Sequence, residues 1–281
     1  MGVVPLKKKD REFKLTDKDF NLISKIVGER TGIVLSSSKR DMVYSRLTRR
    51  LRFLGLTHFS DYCDLIQSGN EAELLEFTNA ITTNLTSFFR EPHHFEYLEK
   101  TVLPELVKSK LNKKLRIWSA GCSSGEEPYT LAITLKENVP ATWDVKILAT
   151  DLDTNMVAKG KNGIYENDKL TGLNQSQLKK WVRRGRGEQD GMVCMAESLK
   201  DMITFKQLNL MHDWPIKGPF DFIFCRNVVI YFDKDTQRVL FDRYANMLDK
   251  GAHMFIGHSE SLHNVTNRFK LLGKTIYQKI G

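Results

Sequence analysis

The residues between Leu115 and Leu131, LRIWSAGCSSGEEPYTL, have types and spacing suited to holding a ligand. An apolar run, Leu115–Ser119, leads to Gly121 and Gly125, followed by Glu126-Glu127-Pro128 and an apolar helical stretch. A strand, a glycine turn and a helix in that order let a ligand approach the backbone closely. Neither a G-x-x-x-x-G-K-[ST] phosphate loop nor a G-x-G-x-x-G dinucleotide loop is present, and carboxylates at the helix start repel a pyrophosphate. They suit a ligand with hydroxyl, ammonium and sulfonium groups, which describes S-adenosylmethionine. A second apolar run ends in Ala149-Thr150-Asp151-Leu152-Asp153, and an acidic residue at that strand end is where an α/β nucleotide site holds ribose hydroxyls. Asp151 is expected in that role. Its alternative, capping a helix that begins at Thr154, suits Asp153 better; the alternative for Gly121 and Gly125 is a tight turn without ligand.

The elements that must position these residues follow from periodicity. From about Thr16 to Asn79, apolar residues recur at helical spacing, and turn signals at Thr31-Gly32, Gly55 and Ser68-Gly69-Asn70 divide the stretch into short helices. A polar link, Thr82-Thr83-Asn84-Leu85-Thr86, leads to Pro92, which suits the first turn of a helix through about Lys110. Beyond it, short apolar runs alternate with helical segments, the pattern of a parallel sheet with crossover helices. Strands are expected at Leu115–Ser119, Val145–Thr150, Ile203–Gln207, Phe220–Cys225, His253–Gly257 and Thr275–Lys279, and helices at Glu127–Glu137, Thr154–Lys161 and Lys234–Leu248. Residues 163–202 read as an inserted subdomain with a helix at Gln175–Val182 and a glycine-bearing hairpin loop. The domain reading is a tail at 1–15, a helical domain at 16–79, a link at 80–95 and an α/β domain at 96–281.

Composition narrows the class. With 41% hydrophobic residues the chain can bury a large core and a smaller satellite, and its longest apolar stretch falls short of the roughly 20 residues that span a bilayer. The basic N-terminus, MGVVPLKKKDREFKL, has no apolar run behind it, so a cytoplasmic location and no membrane insertion are expected. Cys63, Cys122, Cys194 and Cys225 form no C-x-x-C pair and read as reduced, mostly buried thiols. The formal charge of +9 points to an acidic partner without choosing among nucleic acid, membrane and protein.

Several blocks go beyond a generic site: Ala80 to Glu91 (AITTNLTSFFRE), Trp118 to Tyr129 (WSAGCSSGEEPY), Asp151 with its neighbours, Phe224 to Asp233 (FCRNVVIYFD), Lys39 to Tyr44, and Gly257-His258-Ser259-Glu260. Together they closely resemble the signature blocks of the CheR-type chemotaxis receptor glutamate methyltransferases, in order over nearly the whole chain. The resemblance implies a Rossmann-like S-adenosylmethionine-dependent methyltransferase sheet, a small N-terminal all-α domain packed on it and an inserted antiparallel β-subdomain. It also implies that Asn84, Thr86 and Arg90 of the link join Glu127, Asp151, Asn209, Leu210, Arg226 and Asn227 around the cofactor. The loop carries Gly121-Cys122 where some members have alanines, and no loss of binding is expected because glycine and alanine both permit close approach.

The implied reaction is protein-glutamate O-methylation, giving a methyl ester and S-adenosylhomocysteine. A glutamate carboxylate, with a reference pKa of about 4.3, is ionised at neutral pH and needs no general base. That agrees with a sequence showing no nucleophile-base pair and no metal-ligand spacing among its histidines. Arg90 is the candidate for positioning the substrate carboxylate and Tyr231 for shaping the methyl pocket. Lys39, Arg40, Arg46, Arg49, Arg50 and Arg52 share one broad face with a single nearby acid, Asp41; either they form a solvated face or they dock the glutamate-rich helices of a receptor. Gly185, Gly187 and Gly191 resemble the loop of family members that tether to a receptor's C-terminal peptide, and an exposed hairpin edge there can accept a strand; a plain surface hairpin is the alternative. A monomer is expected. A nucleic-acid methyltransferase and a non-catalytic docking scaffold are the rivals, the first weakened by the absence of an N/D-P-P-Y/F/W tetrapeptide and of aromatic-basic interleaving.

Overall fold

Thr16 opens the first helix through a capping box: its hydroxyl accepts from the Asp19 N–H while the Asp19 carboxylate accepts from the Thr16 N–H. In the computed structural model, which describes residues 11–281, the helices α1 (Asp17–Thr31), α2 (Arg40–Leu54), α3 (Phe59–Gln67) and α4 (Glu71–Ile81) follow in turn. Gly32 and Gly55, both left-handed, stop α1 and α2. The apolar stripes of these helices share a core around Ile23, Val43, Leu47, Leu51, Phe59, Tyr62 and Phe77. The chain divides into two units between Ile81 and Thr82. Most of the expected tail, residues 1–10, lies outside the described residues.

The second unit begins with α5 (His93–Tyr97), a π-helical turn at Leu98–Val102 and α6 (Leu103–Ser109). The single helix expected through Lys110 is therefore interrupted. Pro104 has no N–H to give the carbonyl four residues earlier, and the wider turn sits immediately before it. Next come β1 (Lys114–Ala120), α7 (Glu126–Asn138), β2 (Asp144–Asp151) and α8 (Thr154–Asn162). The insertion holds β3 (Ile164–Glu166), α9 (Gln175–Trp181), β4 (Val182–Arg184), β5 (Met192–Met195) and α10 (Glu197–Lys200). The chain ends with β6 (Ile203–Gln207), β7 (Phe220–Cys225), α11 (Lys234–Asn246), β8 (Leu248–Ile256), β9 (Phe269–Gly273) and β10 (Ile276–Lys279).

Seven strands form one sheet in the order β6-β2-β1-β7-β8-β10-β9, and β3-β5-β4 form a separate antiparallel sheet. The first five strands of the large sheet run parallel, while β10 is antiparallel to β8 and to β9. This architecture differs from the expectation at one edge. Strand β9 was not among the expected strands: its apolar residues Phe269, Leu271 and Leu272 form a run of only four with Lys270, and both leucines are exposed; β8 starts earlier than His253, through the polar Asp249-Lys250-Gly251, because Leu248 pairs with Phe220. Alternation assigns the two faces. Leu115, Ile117, Phe222 and Phe224 enter the core against α7, whereas Trp118, Ala120, Ile223 and Cys225 enter the core against α11. The strand order turns at β1 and β7, which places a crevice beyond their carboxyl ends.

Candidate active site

The loop after β1 is shaped by three left-handed residues, Gly121 (φ 85°), Ser123 (φ 47°) and Gly125 (φ 100°). The Gly121 and Cys122 N–H groups both donate to the Thr150 carbonyl, at 2.8 and 2.9 Å, which folds the loop back against β2. A Cβ at Gly121 would meet Val228 Cγ2 at 2.3 Å, so the alanine that some family members carry would not fit in this chain. Both the positive φ and the Val228 methyl exclude it. Gly125 is equally constrained, since its Cβ would come within 2.8 Å of the Gly160 Cα.

Asp151 ends β2 with its carboxylate turned to the backbone. Oδ2 accepts from the Ser123 N–H at 2.7 Å and Oδ1 from the Asp153 N–H at 2.9 Å. Burial pushes its carboxyl up to about 6 against the downward pull of these bonds. Asp153 caps α8, accepting from the Asn155 and Met156 N–H groups. Its other oxygen accepts from Thr82 Oγ1 at 2.8 Å and Asn84 Nδ2 at 2.7 Å, and the Asn84 carbonyl accepts from Ser123 Oγ at 3.0 Å. Asn84 therefore meets the site through Asp153 and Ser123. Thr86 lies half-buried two residues on.

Deeper in, three charged side chains converge. Arg226, at the end of β7, has a side chain 2% exposed. Its Nη1 donates to Glu127 Oε2 at 3.1 Å and its Nη2 to the Arg90 carbonyl at 2.5 Å, with Glu91 Oε2 3.4 Å away. The guanidinium lies over the rings of Phe95 and Phe224, at 5.7 and 5.9 Å. Glu127 Oε1 accepts from Ser119 Oγ at 2.7 Å, and burial raises its carboxyl despite Arg226. Glu91 moves the other way: burial opposes its charge, but His258, whose Nδ1 lies 2.8 Å from Oε1, and Arg226 hold it down to about 2. His94, behind this group, is fully buried, and burial together with Arg226 lowers it to about 3. Glu91 Oε2, Arg226 Nε and His94 Nδ1 are buried without a hydrogen-bond partner.

The other expected residues are placed less directly. Arg90 donates Nη1 to the Leu85 carbonyl at 2.6 Å, closing its own segment, in which Phe89 and Glu91 have positive φ. Asn227 is left-handed (φ 59°) and its Nδ2 reaches Glu91 Oε1 at 3.5 Å. Asn209 Oδ1 accepts from the Met211 N–H, and the buried Leu210 lines an open cavity of ≈ 320 Å³ with Met211, Val239, Leu240 and Arg243. Tyr231 is half-buried on a 3-10 turn at Val229–Tyr231. Contacts thus form two sets: Asn84 and Asp151 share Ser123 and Asp153 as partners, while Glu127, Arg226, Asn227 and the backbone of Arg90 are joined directly or through Glu91. Glu91, Asp153, His258 and Glu260 belong to the same fabric without having been assigned chemistry from the sequence. A lone glutamate or histidine has no periodic signal. Glu91, His93 and His94 also bring ligating atoms within 4.8 Å of one another, a grouping that histidine spacing does not announce. The neighbouring Arg226 charge and the Lys274 carbonyl, 3.2 and 3.0 Å from the two Nε2 atoms, compete with a cation there.

The basic face of α2 is narrower than expected. Asp41 is not its only acid: Arg40 pairs with Asp17, Arg50 with Glu73 and Glu76, and Arg52 with Glu12, all brought from other parts of the helical unit, while Asp41 itself pairs with Arg11. Arg46 donates to the Ile81 carbonyl at 2.5 Å. Lys39 and Arg49 are the exposed cations of the group to which no acid is matched among the described residues. In the insertion, β4 is an edge strand with Arg183 and Arg184 exposed. The hairpin after it turns through Gly187 and Gly191 at positive φ, and the Gly185 N–H donates to the Met192 carbonyl at 2.9 Å.

Comparison with known proteins gives two family matches. Residues 18–82 match the CheR methyltransferase all-alpha domain and residues 84–278 the CheR methyltransferase SAM binding domain. The chain is 42% identical to a chemotaxis protein methyltransferase of Escherichia coli over 94% of this chain and 91% of that protein. It is 42% identical to the Salmonella typhimurium chemotaxis protein methyltransferase, covering 94% and 90% of the two chains. A Pseudomonas aeruginosa relative, chemotaxis protein methyltransferase 2, is 41% identical over 95% of each.

Proposed function

The chain belongs to the CheR methyltransferase family, and from that premise we propose that it transfers a methyl group from S-adenosylmethionine to glutamate side-chain carboxylates of chemotaxis receptors. The products are a glutamyl methyl ester and S-adenosylhomocysteine. The observation that carries the reading is the Glu91–Arg226–Glu127 cluster at the carboxyl end of β7, buried yet with no hydrogen bond to Arg226 Nε or Glu91 Oε2. Buried polar atoms without partners are rare unless a ligand or function accounts for them.

The donor set fits the cofactor. Glu127 and Asp151 offer carboxylates to its ammonium and hydroxyl groups, Arg226 offers a cation to its carboxylate, and Asn84, Thr86, Asn209, Leu210 and Asn227 complete the wall. Bound there, S-adenosylmethionine supplies an activated methyl on a sulfonium. The protein's remaining work is to desolvate the incoming carboxylate and hold it in line. Arg90 is the residue for that, its guanidinium exchanging the Leu85 carbonyl for a carboxylate, a stronger, charge-assisted partner. Tyr231 borders the methyl pocket. The nucleophile is already ionised, so this chemistry involves no general base and no metal.

Lys39 and Arg49, with Arg46, present the receptor-docking charge, and the β4 edge with the Gly185–Gly191 hairpin accepts a receptor tail peptide by strand addition. The enzyme acts as a cytoplasmic monomer. No helix of the described residues is long and apolar enough to cross a membrane. Incubation with labelled S-adenosylmethionine and receptor-bearing membranes tests the reading. Label released as methanol by base is expected; label on nucleic acid, or none on receptor, overturns it.

A further inference from the structure

The turn that carries Asn227 to Tyr231 closes in a single 3-10 turn, with the Tyr231 and Phe232 N–H groups donating to the Val228 and Val229 carbonyls, and the backbone donors ahead of it converge on one side chain. Glu260, 5% exposed, accepts four N–H groups. Oε1 takes Val229 at 2.8 Å and Ile230 at 3.3 Å, and Oε2 takes Gly257 at 2.5 Å and Asn227 at 2.9 Å. Among the described residues no lysine, arginine or histidine forms an ion pair with it, so its charge is met by backbone dipoles alone. A carboxylate offers about four lone-pair directions on two oxygens, and all are used here. Glycine at 257 permits the interlock: a Cβ there would lie 2.4 Å from Asn227 Nδ2.

Resting on the methyltransferase reading of this site, we infer that Glu260 is a positioning residue for methyl transfer, its carboxylate setting the Arg226–Tyr231 wall by holding Asn227 left-handed and tying the end of β7 to the end of β8. Glutamine has the same shape but aims two donors at two of the four N–H groups. It therefore loses half of the clamp and opposes the remainder.

The control is Asp221, a buried carboxylate at the other end of β7 that accepts from the Arg116 N–H at 2.8 Å and pairs with Lys110. Full-length Glu260→Gln and Asp221→Asn proteins are compared by thermal unfolding, by calorimetric titration with S-adenosylmethionine and by kcat and KM. Both are expected to unfold at lower temperature, but only Glu260→Gln to bind the cofactor about tenfold or more weakly. In an Asn227→Ala background the same change should cost little further affinity. Equal affinities in the two single variants, or full additivity with Asn227→Ala, overturns the inference. Should Glu260→Gln not fold, Glu260→Asp and Gly257→Ala disturb the same clamp from either side, and wild-type affinity in both overturns it. A wild-type protein that binds the cofactor but esterifies no receptor removes the proposed substrate and leaves this inference intact.

Discussion

Two arginine–carboxylate clusters, one in each unit, differ in how completely they are closed. In the helical unit, Arg50 donates to both oxygens of Glu73, Tyr62 Oη adds a third bond at 2.8 Å, and no charged atom of that group is left without a partner. In the methyltransferase unit, Arg226 is shared between Glu127, Glu91 and the Arg90 carbonyl, and Arg226 Nε, Glu91 Oε2 and His94 Nδ1 make no hydrogen bond. A closed cluster holds its elements together. An open one, with a cation between two carboxylates at the strand ends, retains capacity for a ligand.

The sharpest way to break that contrast is to remove both arginines. Arg226→Leu should abolish detectable methylation and Arg50→Leu should not weaken S-adenosylmethionine binding, although each leaves a buried carboxylate unpaired at a cost of about 3–5 kcal/mol in stability. Calorimetry alongside denaturant unfolding separates the effects, and equal loss of cofactor affinity in both would make the clusters equivalent.

A smaller effect is expected at Asp151. Because its carboxyl is raised to about 6, it keeps a proton that the unfolded chain releases near 3.8. Its contribution to stability is therefore present below 3.8 and lost as pH rises through about 6. Cofactor affinity runs the other way, improving as the carboxylate forms. Titrations from pH 5 to 8 should show a step near 6 that Asp151→Asn lacks, with affinity roughly 10–100-fold lower at pH 8.

Glu91 has the opposite sign. Held down to about 2, it contributes stability above the ordinary carboxylate pKa of about 4.3 that is lost as pH falls towards 2. Glu91→Gln should flatten the acid limb of the stability curve and cost about 2 kcal/mol at pH 7. An unchanged limb would place the acid sensitivity elsewhere.

The smallest effect belongs to the surface charges. Lys39→Glu with Arg49→Glu should slow receptor methylation several-fold at low salt, with the difference shrinking as salt rises and cofactor affinity constant. Reversal at Arg46 is the poorer test, because its guanidinium also holds the Ile81 carbonyl.

Much was legible without coordinates. The strands Ile203–Gln207 and Phe220–Cys225 stand at their expected boundaries, the first through its alternation of half-buried and exposed residues and the second as a wholly buried run. Asp153 caps α8 as its place before Thr154 suggests. The family itself could be read from contiguous blocks. By contrast, β9 and the early start of β8 left little trace, since β9 is a short edge strand whose leucines are exposed and β8 begins in polar residues. The basic run on α2 misled because its acids, Glu12, Asp17 and Glu73, come from distant parts of the sequence.

Local sequence thus determined what depends on neighbours along the chain: the helix starts, the glycine turn after β1, the buried strands and the kind of cofactor its carboxylates suit. Tertiary structure decided which charges are opposed. Glu91 meets Arg226 and His258, and Glu260 meets Asn227, only because β7 and β8 lie side by side. A carboxylate's protonation and purpose depend on groups within a few ångströms in space, and separation along the chain does not report that distance.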